Sequence, residues 1–179
     1  MTDTNTPLGP LELADGRWAV GDSRRPGGSW VEFRAEGLCR CAREAEGELI
    51  PWSRTMLGMR LTLGGRYPSK DMYTLVGLLA GLLGLRGRGG GYLHMTLRHP
   101  YEDQAVYFDR HTRRYRGAEL LLLEELLTQT VAAGEAQRLG DAEWLGRAVG
   151  HLTPLTPWTF GRLREAVTQA RQVASAAGS

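Results

Sequence analysis

The sequence predicts an α+β fold in which β structure comes first and a helix closes it. Short runs rich in aromatic and β-branched residues fill the first 110 positions, and most of them alternate apolar with polar side chains. The last of these runs, 104–109, is soon followed by 117–127, a strong helix former. Beyond that point the apolar residues recur at helical spacing, so we expect sheet and helices to be segregated along the chain.

Seven strands are predicted, each bounded by residues that favour turns. Alternating side chains define most of them, and glycine, proline or short polar clusters separate them. Pro51 indicates a sheet edge or a bulge, because proline cannot donate to the ladder. The predicted strands are Leu11–Val20, Trp30–Arg34, Leu38–Ala42, Glu48–Trp52, Thr55–Leu63, Tyr92–Leu97 and Gln104–Asp109. The large residues expected to be mostly buried are Trp18, Trp30, Phe33, Trp52, Leu61, Tyr107 and Leu123.

Helices are predicted within the β region and after it. Met72–Leu85 favours an inserted helix that is apolar on nearly all sides and therefore needs burial on more than one side. A closing helix should run from 117 to about 139, with Gly140 as its stop. Asp141 is placed to cap a short helix through 152, and Thr156-Pro157 to start a last one that ends near 174.

Composition and cysteine usage indicate a reduced, intracellular protein. The 179 residues carry a net charge of +2, and 21 of the 22 basic residues are arginine, a bias that we attribute to a GC-rich coding sequence. The start of the chain lacks the pattern of a signal peptide, and the longest apolar stretch falls short of the roughly 20 residues that span a bilayer. Cys39 and Cys41 are too closely spaced for an unstrained mutual disulfide, so we expect free thiols and a cytoplasmic location.

A family resemblance rests on the predicted strand count, the closing helix and two short stretches. These stretches are Val31-Glu-Phe-Arg-Ala-Glu-Gly-Leu38 and Leu49-Ile-Pro-Trp-Ser-Arg54. With them the chain resembles the bacterial pleckstrin-homology-like (PH-like) domain family over residues 11–139. The resemblance implies a seven-stranded β core with a closing helix, preceded by a flexible tail at 1–10 and followed by a helical extension at 140–179 packed on it. It implies a binding or scaffolding module, and no particular ligand.

No catalytic or metal-binding motif stands out in the sequence. The histidines have no cysteine or carboxylate partners at metal-ligand spacing; they are His94, His99, His111 and His151. Ser53 lies outside a Gly-x-Ser-x-Gly context. The glycine-rich run 86–91 precedes a strand, whereas a phosphate loop leads into a helix. We therefore expect a protein that is not an enzyme and that uses no metal or cofactor.

The strongest candidate for ligand binding is an arginine-rich turn between the last strand and the closing helix. Tyr115 is interleaved with its four arginines, a composition suited to phosphate contacts and ring stacking. These arginines are Arg110, Arg113, Arg114 and Arg116. The alternative, which we favour because the net charge is small, is a solvated turn whose arginines pair with Glu119, Glu124 or Glu125.

The function predicted from these observations is a non-enzymatic, cytoplasmic protein-interaction or scaffolding module with an unknown protein partner. The alternative is an anion binder that takes nucleic acid or phospholipid headgroups through the arginine-rich turn at 110–116. A small enzyme whose site no motif reveals is a further rival. A homodimer is expected because Met72–Leu85 is too apolar to face water.

Overall fold

The computed structural model describes residues 6–43, 45–63, 90–98, 101–157 and 159–178. Within these residues it has two antiparallel sheets and three α-helices, so the predicted α+β class is confirmed. The five strands of sheet one are β1 Leu11–Ala14, β2 Arg17–Val20, β3 Ser29–Phe33, β4 Gly37–Ala42 and β5 Ala45–Pro51. The three strands of sheet two are β6 Thr55–Leu63, β7 Gly90–Leu97 and β8 Glu102–Asp109. The helices are α1 Gly117–Ala132, α2 Ala142–Leu152 and α3 Phe160–Ala176.

The strand count differs from the predicted seven because Leu11–Val20 is a hairpin of two strands. Asp15 and Gly16 connect them with φ angles of 51° and 78°. A two-residue hairpin turn of this kind requires positive φ at both positions, and Asp-Gly is among the sequences that adopt it most readily. The resemblance to a PH-like core assumed seven strands, whereas the described residues form eight, and it remains a prediction.

Both sheets follow the order of the chain, with neighbours β1-β2-β3-β4-β5 in sheet one and β6-β7-β8 in sheet two. Asp109, at the end of β8, joins the two sheets. Its carboxylate accepts a hydrogen bond from the Ser29 backbone N–H at 2.9 Å, and its carbonyl accepts one from the Asp22 N–H at 2.9 Å. Helix α1 packs on β6 and on α3, and α3 packs on α2.

Buried residues from both sheets and all three helices form one hydrophobic core. Trp18 is fully buried, and its indole N–H donates to the Ala142 carbonyl at 3.0 Å, which fixes sheet one to the start of α2. Trp18, Phe33, Trp52, Leu61 and Leu123 are buried as expected. Trp30 and Tyr107 are only half-buried, because they lie on the faces of the sheets that point away from the core.

The predictions for the chain start and for the end of the closing helix need correction. Leu8 has no exposed surface and bridges to Leu11, so the flexible tail expected at 1–10 does not include it. The closing helix ends at Ala132, because Gly134, with φ at 73°, stops it before Gly140. The Asp141 cap is confirmed, since its side chain accepts from two N–H groups of α2.

The last helix begins later than predicted. Thr159, whose hydroxyl accepts the Arg162 N–H at 3.3 Å, caps it in place of Thr156. Its apolar face is buried at Leu163, Val167, Ala170 and Ala174, whereas Phe160, in its first turn, is 64% exposed. The predicted helix Met72–Leu85 lies outside the described residues.

Candidate binding face of the five-stranded sheet

The side of sheet one that points away from the core carries most of the polar side chains of this sheet. We call this side the outer face. Cross-strand partners share a face in an antiparallel sheet. The pairing therefore aligns one row of outer-face residues across all five strands, and this row is Glu12, Ala19, Glu32, Cys39 and Leu49. Trp30 and Cys41 are paired with each other next to this row.

A shallow hollow of about 200 Å³ lies on this face. Its lining is formed by Ala14, Asp15, Arg17, Ala19, Ser23, Arg24, Trp30, Glu32 and Arg43. Pockets for drug-sized ligands usually measure about 300–1,000 Å³ and are mainly apolar. The hollow is smaller and mainly polar, so its dimensions suit one or two side chains of a larger partner.

Glu32 organises the hollow. One of its carboxylate oxygens accepts the Trp30 indole N–H at 3.0 Å, and the other accepts from Arg34 Nε at 2.8 Å. Arg17 lies 3.5 Å from the same second oxygen. Burial raises the pKa of Glu32, but the hydrogen bonds from Trp30 and Arg34 and the charges of Arg34 and Arg17 together outweigh burial, so the net shift is downward. Glu32 is therefore ionised at neutral pH and holds the indole and a guanidinium in place.

The hollow has a surplus of positive charge. Three arginines line it against Asp15 and Glu32. Arg43 donates to the Arg24 carbonyl at 3.4 Å, and the Arg24 backbone N–H donates to Asp22 at 3.1 Å. Within the described part of the chain, neither the Arg24 nor the Arg43 guanidinium forms an ion pair with a carboxylate. The carboxylates that the structure describes thus leave both guanidinium groups outside an ion pair, and the charge of Arg24 acts on Glu12 from a longer distance.

The arginine-rich turn reaches sheet one at the β1 edge. His111 Nε2 lies 3.2 Å from a Glu12 carboxylate oxygen, and Arg113 lies 3.5 Å from the same oxygen. Tyr115 is buried, and its hydroxyl accepts the His111 backbone N–H at 3.0 Å. The Arg113 guanidinium carbon lies 5.1 Å from the Tyr115 ring centroid, a cation–π distance. A hydrogen bond from His111, opposed by burial and assisted by the charges of His111, Arg113 and Arg24, lowers the pKa of Glu12.

Arg116 has a structural role at the start of α1. Its backbone N–H donates to Glu119 at 3.0 Å and its Nε donates to the same carboxylate at 2.8 Å, so Glu119 accepts both bonds and caps the start of the helix. Arg116 also donates to the Thr153 carbonyl at 3.2 Å. Arg114 is exposed and Arg110 is half-buried. Two of the four arginines predicted to bind anions are therefore engaged with carboxylates of the chain itself.

Sequence analysis predicted only some of the internal partners of these arginines. The interpretation as a solvated turn predicted a pair with Glu119, which Arg116 forms, but it did not consider the pair between Arg113 and Glu12. Glu125 lies 3.6 Å from Arg164 of α3. Sequence reasoning also missed the hollow. Strand alternation places Trp30, Glu32 and Arg34 on one face, but this signal was not used, because Trp30 was expected in the core. The approach of Arg24 and Arg43 depends on loops that carry no such period.

Comparison with known proteins adds no family or function. The chain matches no protein-family model, no curated protein and no solved structure. In the described ranges, no group of three or more His, Cys, Asp or Glu side chains is placed to hold a metal ion. None of the helices described is both long and apolar enough to cross a bilayer.

Proposed function

We propose that the chain is a non-enzymatic, cytoplasmic interaction module that binds an acidic segment of a protein partner at the hollow of its outer face. The observation that carries the proposal is the pair of guanidinium groups, Arg24 and Arg43, beside an indole that Glu32 holds in place. Guanidinium groups bind carboxylates through two parallel hydrogen bonds, and a half-buried indole offers a flat apolar surface beside them. The PH-like resemblance, which implies a binding module, agrees with this proposal.

The titratable groups of the outer face favour binding over catalysis. A general acid or base works best when its pKa lies near the working pH. The pKa values of Glu12 and Glu32 are both shifted downward, away from neutrality. Both Glu32 oxygens accept hydrogen bonds, and one Glu12 oxygen lies within 3.5 Å of His111 and Arg113. Such carboxylates stabilise a surface and are poorly suited to proton transfer. The two free cysteines support a reducing location such as the cytoplasm.

Charge complementarity favours an acidic peptide segment over nucleic acid or a lipid headgroup. Polyanions are bound by many basic groups acting together. In this chain the net charge is only +2, and Arg113 and Arg116 of the turn are paired internally. A short peptide needs only a local match, namely one or two carboxylates for the arginines and an apolar side chain for Trp30.

A peptide titration tests the proposal. The full chain is titrated with a fluorescent glutamate-rich peptide that contains one tyrosine, and with the matching lysine-rich peptide, at two salt concentrations. We expect only the acidic peptide to bind. The double variant R24A/R43A should weaken that binding about tenfold, equivalent to about 1.4 kcal/mol.

The matched control is R98A/R162A, which also removes two exposed positive charges but leaves the hollow intact. It should change the affinity less than twofold, the range expected of non-specific attraction. The proposal is wrong if the acidic peptide does not bind, or if both double variants weaken binding equally. Duplex DNA and anionic vesicles form two further arms, and tight binding there that Arg114→Ala abolishes would favour the anion-binder alternative.

Self-association is a separate prediction. The homodimer was inferred from Met72–Leu85, which lies outside the described residues, and sedimentation velocity at tens of micromolar concentration tests it directly. A sharp monomer peak would contradict it.

A further inference from the structure

The only two cysteines of the sequence lie side by side on the outer face of β4. Their sulfur atoms are 3.2 Å apart. Cys39 has no exposed surface and Cys41 has 6%. Two thiols in such close contact can exchange a proton or, on oxidation, form a bond. This chemistry does not depend on what the outer face binds.

The strands on either side of β4 differ in how they pair with it. With β3 the register is regular through Cys39 and Cys41. In a regular strand the two Cα atoms are about 6.6–6.8 Å apart, at the upper end of the range for disulfides, so the strain expected from the sequence remains. With β5 the register shifts between Arg40 and Ala42, and the extra residue lies on β5, where positions 46 and 47 face Cys41.

Gly47, on β5, leaves the space that the sulfurs occupy. A Cβ atom at this position would overlap Cys39 Sγ and lie 3.6 Å from Cys41 Sγ. Arg34 covers the other side, with a guanidinium nitrogen 3.7 Å from Cys41 Sγ. The Arg34 side chain is 35% exposed, so a rotation of this side chain would open a path from solvent to Cys41.

We propose that Cys39 and Cys41 form a two-electron redox site, which a low-molecular-weight disulfide oxidises to an intrastrand disulfide. The Cys41 thiolate attacks one sulfur of the small disulfide, so that a mixed disulfide forms and one thiolate leaves. Cys39 then attacks the Cys41 sulfur and displaces the second thiolate. The cysteines lose two electrons and two protons in total, and the small disulfide is reduced to two thiols. Remaining strain favours easy reversal by excess thiol.

The alternative chemistry for this pair, a structural zinc site, requires more donors. Such a site takes four ligands in tetrahedral geometry. The described residues bring no third His, Cys, Asp or Glu into a group with the two sulfurs. Oxidation of the pair needs no further ligand.

The first step should be slow near neutral pH. Burial, followed by the hydrogen bond to Cys39 and the charge of Glu32, raises the pKa of Cys41 to about 12, and Arg34 opposes this shift only in part. Because the thiolate is the attacking species, the oxidation rate should increase as pH rises. The reaction is therefore followed to equilibrium at mildly alkaline pH.

The test equilibrates the folded full chain in buffers of increasing oxidised-to-reduced glutathione ratio, followed by acid quenching and intact-mass measurement. We expect wild type to lose two hydrogens, without a stable glutathione adduct, and to regain them in excess reduced glutathione. Cys39→Ser and Cys41→Ser should each fail to make this change. A urea-unfolded sample reports whether the reagent itself is active. A folded chain that stays reduced at the most oxidising ratio, or that retains glutathione, overturns the proposal.

Gly47→Ala distinguishes reaction in the native state from reaction through transient unfolding. The added methyl group displaces the Cys39 sulfur, so native-state oxidation should slow severalfold even if the variant is less stable. Gly161→Ala, at an exposed position with open space around it, is the matched control and should react like wild type. If Gly47→Ala accelerates oxidation, the disulfide forms through unfolding and the native site is refuted.

Discussion

Two parts of this chain are rich in arginine, and the structure uses them in opposite ways. In the turn at 110–116, Arg113 and Arg116 are held by Glu12 and Glu119, so their charges stabilise the connection between β8 and α1. Around the hollow, Arg24 and Arg43 make contacts that leave their guanidinium groups open to a partner. The turn has the denser arginine pattern in the sequence. Local density of a residue type therefore says less about free charge than the carboxylates that the fold brings near.

The largest effect on stability should come from removing the carboxylate that holds the turn. Glu12→Gln removes the negative charge that His111 and Arg113 share at a site only 14% exposed. A guanidinium left without its charge partner at such a site costs about 2 kcal/mol of unfolding free energy. Urea unfolding measures the change. A loss below about 0.5 kcal/mol, the range of ordinary surface substitutions, would contradict the structural role given to the turn.

The same ion pair should make stability depend on pH. The pKa of Glu12 is lower in the folded chain than its ordinary value, so its contribution is fully present above the unfolded-state pKa and is lost as pH falls through the folded-state pKa. The stability difference between wild type and Glu12→Gln should therefore shrink as the pH falls below about 4.5. Paired urea titrations across this range test the sign, and a difference that grows on acidification would refute it.

A smaller effect is expected at the helix start. Arg116→Ala removes the side-chain bonds to Glu119 and to the Thr153 carbonyl but keeps the backbone N–H bond to Glu119. It should therefore destabilise the chain by at most about 1 kcal/mol, the upper end for an exposed ion pair. Arg114→Ala, two positions earlier and exposed, is the internal control and should have no measurable effect. If the two variants lose the same free energy of unfolding, the side-chain bonds of Arg116 contribute nothing specific to stability.

The smallest effect on stability belongs to the hollow. R24A/R43A should change the unfolding free energy by no more than about 0.5 kcal/mol, because both side chains are exposed and neither forms an ion pair with a described carboxylate. A larger loss, measured by the same urea titration, would show that these arginines support the fold as those of the turn do. The contrast between the two regions would then disappear.

Local signals in the sequence were read more accurately than long-range ones. The Asp141 cap and the strands near Trp30–Arg34 and Leu38–Ala42 depend on residues close together in the chain, and the structure has them within about a residue of the prediction. The Asp15-Gly16 hairpin carried a clear local signal that was overlooked. In contrast, nothing in the period of β1 indicates that Glu12 will meet His111.

The hollow was unpredictable for the same reason. Its lining combines β2 and β3 with Arg24, from the connection between these strands, and Arg43, from the β4–β5 turn. Register can be inferred once strand neighbours are known, but the path of a loop depends on the contacts it finds after the sheet has formed. The bulge of β5 opposite Cys41 is a similar case, since it depends on how the β4–β5 hairpin closes.

The contact between Glu12 and His111 also has a consequence for folding kinetics. It joins positions about a hundred residues apart, and closing so long a loop costs chain entropy before the contact contributes any stabilisation. The hairpins of both sheets are local and can form first, so this contact is expected to form after the transition state. Glu12→Gln should then accelerate unfolding while leaving the refolding rate nearly unchanged. The contact at the β1 edge therefore slows unfolding and lengthens the lifetime of the native state.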